Sequence, residues 1–271
     1  YCFKQQACIT LLYINSFSYF CKKKKTMAFD CENVRPYDAN EDKKTQITKM
    51  FDAISEEYDR MNNIMAWGME TRWRKKTILS LQHIKPKHVL DIATGTGDFA
   101  INAYHILKPE TVKGVDISEG MMQVGKKKVA QLGLSDKITF TVEDATQLSF
   151  SDKSFDAVTI AFGVRNFANI ENSFREIYRV LNNGGGFAFV EMTEPSNPII
   201  RPFYKLYTKT IIPIFSRIFS NDKLAYNYLP LSIEKFPTSE KVISLMQDCG
   251  FKNVCYKKFL FGVCTRFFGE K

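Results

Sequence analysis

Residues 89–100 read VLDIATGTGDFA. A short apolar run ends at a Thr-Gly-Thr-Gly turn, and an apolar helical pattern follows, so the stretch predicts a buried strand handing over to a helix. Gly95 and Gly97 let the backbone come close to a ligand, and the first amides of the following helix are free to face it. The position of a third fingerprint glycine holds Ala100, a permitted variant. The turn alone therefore leaves nicotinamide, flavin and other nucleoside cofactors open.

Downstream the same grammar repeats. TVKGVDIS (111–118), ITFTVEDA (138–145), FDAVTIAF (155–162) and GGFAFVEMT (185–193) are near-continuous apolar runs, separated by helical stretches at 99–107 and near 119–132 and 169–181. Strands alternating with helices of about ten residues form βαβ crossovers, and strands apolar throughout are covered on both faces. FKNVCYKKF and FGVCTRFFGEK close the chain as a strand pair. The expectation is an α/β fold, a doubly wound and mostly parallel seven-stranded sheet.

Upstream, Ile47, Met50, Phe51, Ile54, Tyr58, Met61 and Met65 recur at spacings of three and four within 41–65, which predicts one helix laying an apolar stripe on the body. A second helix follows and ends near Pro86. Residues 195–237 interrupt the alternation with an aromatic and basic segment. There Ile200, Phe203, Tyr204, Tyr207, Ile211, Phe215 and Ile218 share one helical stripe, which Pro213 divides into two helices.

Composition narrows the class. The chain has 271 residues, 45% of them hydrophobic, enough for a full core. Its seven cysteines (Cys2, Cys8, Cys21, Cys31, Cys249, Cys255, Cys264) form no Cys-x-x-Cys pair, which argues against a zinc site or a disulfide framework and for a reducing compartment. Residues 1–26 read as an extension upstream of Met27, leaving 27–271 as a single domain with N-terminal helices over 41–85 and a helical insertion over 195–237. Five lysines and no acid lie in 1–26, so without them the net charge falls from +9 to +4. That is too little to call for a nucleic-acid partner.

Candidate site residues sit at strand ends. Asp116 closes the second strand about 20 residues past the glycine turn, where a carboxylate accepts ribose hydroxyls. Asp144 and Ala145 close the third, an acid and a small residue suited to an adenine edge. After the fourth strand comes FGVRNF (162–167), which puts Arg165 and Asn166 at the end of a buried strand. His83, His88 and His105 are all poorly placed for a general base.

The set DIATGTGD, VDIS, EDA and FDAVTIAF resembles a class I S-adenosylmethionine-dependent methyltransferase. YDRMNNIMAWGMETRW (58–73), RVLNNGGGFAFVEMTEP (179–195) and FGVRNF resemble segments of the ubiquinone/menaquinone biosynthesis C-methyltransferase family, over residues 35–271. Departures fall at Ala66, Glu70, Asn182, Asn183 and Thr193, and a family serine contact falls on Ala161. The resemblance implies S-adenosylmethionine as cofactor, held by Thr96, Asp116, Asp144 and Ala145 with Asp91, Gly95 and Gly97 of the first strand and turn. It implies C-methylation of a polyprenylated quinol, demethylmenaquinol in menaquinone biosynthesis, or a benzoquinol in ubiquinone biosynthesis. A methyltransferase of this fold acting on another small molecule is the further alternative. Arg165 would bind the developing phenolate or hold a water as base, Asn166 would orient a ring oxygen, and Tyr58, Asp59 and Asn62 would cover the cofactor. No metal is implied. The expected place is cytoplasmic, peripheral on the inner face of the cytoplasmic membrane with the 199–229 segment toward the bilayer, and a homodimer is admitted.

Overall fold

The computed structural model describes residues 28–66, 68–211 and 223–271. The extension expected over 1–26 and the break expected at Pro213 lie outside the described residues. Seven strands, β1 (His88–Ile92), β2 (Thr111–Asp116), β3 (Ile138–Val142), β4 (Phe155–Ala161), β5 (Leu181–Met192), β6 (Lys252–Phe259) and β7 (Cys264–Glu270), form one sheet. Their order is β3-β2-β1-β4-β5-β7-β6. The first five strands are mutually parallel and β7 runs antiparallel between β5 and β6, so the expected doubly wound sheet is borne out. The order reverses between β1 and β4, which opens a crevice at their carboxyl ends, where ligands bind in such sheets.

Helices α1 (Lys43–Ile54), α2 (Tyr58–Ala66), α3 (Met69–Leu79), α4 (Asp98–Leu107), α5 (Glu119–Gln131), α6 (Ile170–Val180), α7 (Ile200–Leu206), α8 (Lys223–Glu234) and α9 (Ser239–Asp248) cover the two faces and the crevice. Several starts are readable from their caps: Asp42, Ser118, Asn169 and Thr238 each accept a hydrogen bond from the amide three residues on. The core under the crevice is aromatic. Phe174, Phe187, Phe189 and Phe267 are fully buried, and the rings of Phe189 and Phe267 stack at 4.6 Å. Each such pair contributes about 0.5–1.5 kcal/mol beyond its burial.

Two helical expectations change. The single helix expected over 41–65 is two, α1 and α2, broken at Ser55–Glu57. The break has a cause: Asp52, in the last turn of α1, bonds Ser118 Oγ at 2.6 Å and the Gly120 amide at 3.0 Å, which fixes that turn at the start of α5. The stripe still buries Ile47, Met50, Ile54 and Met61. In the insertion, α7 passes into a π turn over Tyr207–Ile211, and the expected stripe is not uniform: Tyr204 is buried whereas Phe203 is 70% exposed.

Candidate functional site

The crevice between β1 and β4 is a cleft with about 740 Å³ of open space, walled by Ile92, Ala93, Gly95, Asp116, Asp144, Ala145, Phe162 and Asn166 among others. Its floor is strained where the two central strands end. Ala93, just past β1, has φ +52°, and Phe162, just past β4, has φ +58°. Each left-handed non-glycine residue costs roughly 1–2 kcal/mol. Both residues line the cleft.

On one side the turn after β1 sets a row of amides. Gly95 (φ +54°) and Gly97 (φ +80°) take left-handed conformations that favour glycine, and a Cβ on Gly97 would come within 2.9 Å of the Phe140 ring. Asp116 is nearly buried, its Oδ2 accepting from the Gly95 amide at 2.8 Å and its Oδ1 from the Ser118 amide at 2.9 Å. Burial pushes its carboxyl above the ordinary aspartate range, against those amides. The Ile117 amide also favours the ionised carboxylate, and acceptor capacity remains where the residue faces the cleft. Asp144 bonds the Thr146 amide and hydroxyl through Oδ1 and pairs with Lys44 at 2.7 Å through Oδ2. Burial works to raise its carboxyl, but the bonds from Lys44 and Thr146 together hold it below the ordinary value.

Other expected residues stand behind the wall. Asp91 is buried, accepting from Thr159 Oγ1 at 2.6 Å and Thr94 Oγ1 at 2.7 Å. Desolvation pushes its carboxyl up to about 7 in spite of both hydroxyls. The Thr96 hydroxyl is turned to Asp59 Oδ1 at 2.6 Å, and Asp59 also pairs with Lys128. The turn thus ties α2 to α5. Tyr58, Ile47 and Phe51 roof the cleft from above, with Tyr58 edge-on to Phe51.

The other side is built around a buried guanidinium. Arg165 is 7% exposed, and its Nη1 donates to Glu191 Oε1 at 2.6 Å and to the Phe162 carbonyl, while its amide meets Glu191 Oε2 at 3.2 Å. Burial opposes its charge most strongly, but Glu191 together with Tyr228 and Tyr58 outweighs it, holding the proton more firmly than usual. Among the described residues its Nε is buried with no partner, and so is the hydroxyl of Tyr204. Asn166, the neighbour that reaches the cleft, accepts from the Tyr228 hydroxyl at 3.0 Å through Oδ1, which turns its Nδ2 donors away from Tyr228. Desolvation pushes the Tyr228 phenol well above its ordinary range, so it acts here as a donor.

Of the expected set, then, Gly95, Asp116, Asp144, Ala145 and Asn166 line the cleft, and Asp91, Thr96, Gly97 and Arg165 lie one layer back. The histidines lie elsewhere: His83 meets Glu270 and His88 meets Thr111, both at 2.9 Å. Sequence reasoning missed Lys44, Glu191, Tyr204 and Tyr228. Glu191 carried a signal, because an acid inside FAFVEM must find a buried cation. The others carried none.

A family model described as the ubiE/COQ5 methyltransferase family matches residues 38–271. The demethylmenaquinone methyltransferase of Bacteroides fragilis is 42% identical over 245 residues, 90% of this chain and 100% of that protein. The mitochondrial 2-methoxy-6-polyprenyl-1,4-benzoquinol methylase of Dictyostelium discoideum is 34% identical, over 85% of this chain and 83% of that one. Among solved structures, the [4+2]-cyclase SpnF superposes with a TM-score of 0.63 at 15% identity, covering 84% of this chain and 96% of its own. A SAM-dependent methyltransferase from Thermotoga maritima gives 0.55 at 19%, covering 82% and 99%. These two likenesses show the fold.

Proposed function

The chain belongs to the ubiE/COQ5 methyltransferase family, and from that premise we propose that it transfers the methyl group of S-adenosylmethionine to a ring carbon of demethylmenaquinol. The 42% identity to the Bacteroides fragilis relative across that relative's whole length carries the reading. The cleft fits the cofactor by its chemistry: Asp116 for the ribose, Asp144 with Ala145 for the adenine edge, and the Gly95–Gly97 turn with its free helix amides for the amino-acid end. Asp91 and Thr96 hold that turn from behind.

When bound, S-adenosylmethionine supplies an electrophilic methyl carbon on a sulfonium leaving centre. The protein's share is alignment, which supplies roughly 7–11 kcal/mol in favourable intramolecular cases. It must also stabilise the ring oxygen whose ionisation makes the carbon nucleophilic. Arg165 stays protonated and cannot be the base itself. The Asn166 Nδ2, which reaches the cleft, is a donor of the kind a phenolate needs, and the Arg165 guanidinium one layer behind it adds positive charge. A water held at Asn166 takes the ring hydroxyl's proton, and the ring proton displaced by the new carbon–carbon bond returns to the ring oxygen through the same water, so that one proton is released overall.

The quinol tail is apolar, so the enzyme works at a bilayer surface, on the inner face of the cytoplasmic membrane. Supporting this, Ile199, Phe203 and Leu206 are 71%, 70% and 61% exposed, and Phe261 at the β6–β7 tip is 71% exposed. That tip lies at the carboxyl edge of the sheet, beside the cleft, since Met192 pairs with Cys264. The α7 cations Arg201 and Lys205 are paired with Glu194 at 2.8 and 3.2 Å, so the exposed apolar side chains rather than these charges carry the reading. Among the described residues no helix is long and apolar enough to cross a membrane.

Calorimetry with S-adenosylhomocysteine and nicotinamide dinucleotides tests the cofactor, and binding of the dinucleotides alone would overturn the reading. Methyl transfer to demethylmenaquinol against 2-methoxy-6-polyprenyl-1,4-benzoquinol separates the ring classes. The Dictyostelium relative keeps the benzoquinol in play, and faster turnover of it would reassign the substrate. Arg165→Ala should lower kcat about 100-fold with cofactor affinity retained. Flotation on anionic vesicles should be lost with Phe203→Ser and Phe261→Ser, and flotation equal to the parent's would remove the bilayer face.

A further inference from the structure

Lys43 begins α1 and is 1% exposed, as buried as the phenylalanines of the core. Its ammonium spends all three donors on backbone: the Cys31 carbonyl at 2.8 Å, Arg165 at 3.0 Å and Phe167 at 3.1 Å. The last two carbonyls flank Asn166. They belong to the exit of the short 3₁₀ turn Val164–Asn166, where carbonyls have lost their helical partners. No carboxylate bonds the ammonium among the described residues. Desolvation pulls it down to about 8, with Cys31, Glu32, Arg35 and Arg165 the charged or titratable groups around it, so it remains a cation at neutral pH. Glu32, on the segment whose carbonyl Lys43 grips, accepts from the Ile170 amide at 2.8 Å just past the same turn.

Burying a charged group is expensive unless its charge is met by well-placed hydrogen-bond partners, as it is by the three carbonyls here. What this one orders is narrow. Lys43 joins the 29–34 segment to the turn that presents Asn166 to the cleft and Arg165 to Glu191. The next residue, Lys44, leaves the helix in another direction, is half exposed and pairs with Asp144 on the cofactor side. Consecutive lysines of one helix thus hold the two halves of the cleft by separate contacts.

We propose that Lys43 is a positioning residue of the methyl transfer, fixing the Arg165–Phe167 turn so that the quinol oxygen meets its donors, while Lys44 serves the cofactor side. The proposal rests on the methyltransferase reading above. A displacement of about 1 Å can cost two orders of magnitude in rate.

The test is steady-state kinetics of the full chain with S-adenosylmethionine and a short-tailed demethylmenaquinol, beside calorimetry with S-adenosylhomocysteine. Lys43→Met should lower kcat roughly 10- to 100-fold and leave homocysteine-product affinity near the parent's. Lys44→Met should act on the other side, raising the KM for S-adenosylmethionine and weakening S-adenosylhomocysteine binding by a larger factor than any fall in kcat. Lys43→Ala leaves a space the shape of n-propylamine, and added propylammonium should restore part of kcat in that variant and not in Lys43→Met. Where Lys43→Met does not fold, Lys43→Gln, which retains two donors, takes its place with a smaller loss of kcat. Turnover of Lys43→Met or Lys43→Gln within twofold of the parent overturns the proposal. So does a matching loss of product affinity, or absence of amine rescue in folded Lys43→Ala. Failure of the parent itself to bind S-adenosylhomocysteine would instead count against the methyltransferase reading.

Discussion

The two halves of the cleft solve the same problem by different means. The half proposed for the cofactor is mostly local: Gly95, Asp116 and Asp144 sit at consecutive strand ends, bonded to backbone amides and hydroxyls a few residues or one crossover away, with the Lys44–Asp144 pair as the long-range exception. The half proposed for the quinol is assembled from afar. Arg165 leans on Glu191, Asn166 on Tyr228, and the turn carrying both on Lys43, 122 residues from Arg165. Local construction leaves the carboxylates with spare lone pairs for a ligand. Distant construction places two opposite charges, Arg165 and Glu191, almost wholly out of water.

The difference should be sharpest in stability. Glu191→Ala strands a buried guanidinium and should cost about 3–5 kcal/mol, read as a lowered urea midpoint. Asp116→Ala, in the other half, should weaken S-adenosylhomocysteine binding by about 1.5–3 kcal/mol, roughly 10- to 150-fold, while the urea midpoint moves far less than with Glu191→Ala. Equal midpoints for the two variants would mean that the halves do not differ as described. A smaller effect is expected from Tyr228→Phe. It removes one hydrogen bond of about 0.5–1.5 kcal/mol and frees the Asn166 amide to turn, so kcat should fall up to about tenfold with cofactor binding unchanged. An unchanged kcat would detach Asn166 from the reaction.

Proton linkage gives the finest comparison, with opposite signs in the two halves. Folded Asp91 keeps its proton up to about pH 7, whereas an unfolded aspartate releases it near 3.8. The folded state therefore holds more protons in that window, and the stability Asp91 contributes at low pH is lost as pH rises through it. Lys43 is the reverse: the folded chain gives up its proton near 8 and the unfolded chain near 10.5, so stability from this group increases across that interval. Melting curves across pH should lose the first slope in Asp91→Asn and the second in Lys43→Met, each leaving the other slope in place.

The same contrast decides what the sequence could reveal. The glycine turn, Asp116 and the Asp144-Ala145 pair were legible because a strand's end is also a place in the fold, and the apolar runs announced where the strands end. The sheet followed from the same alternation, down to the closing strand pair. Lys43 and Lys44 were illegible: within EDKKTQ they look like a solvated helix start, and only the packed structure separates a buried ammonium from an exposed one. The break between α1 and α2 was hidden too, since Asp52 ends the helix through a bond to Ser118, 66 positions later. Arg165 was located at its strand end, but nothing local indicated that Glu191 would hold it one layer behind the surface.

The antiparallel strand pair at the end of the chain has a consequence for how the molecule behaves in a crowd. Strand β6 is the outer margin of the sheet, and such a margin offers its unused amides and carbonyls to any extended segment that drifts past. Here it carries Lys252, Lys257 and Lys258, all exposed, against no acid within the strand. Two copies approaching margin to margin would bring six like charges together. In dilute buffer that repulsion is a colloidal guard against sheet-to-sheet stacking, and it fades as salt shortens the range of the field to about 8 Å at physiological strength. Concentrated stocks should accordingly keep best at low ionic strength.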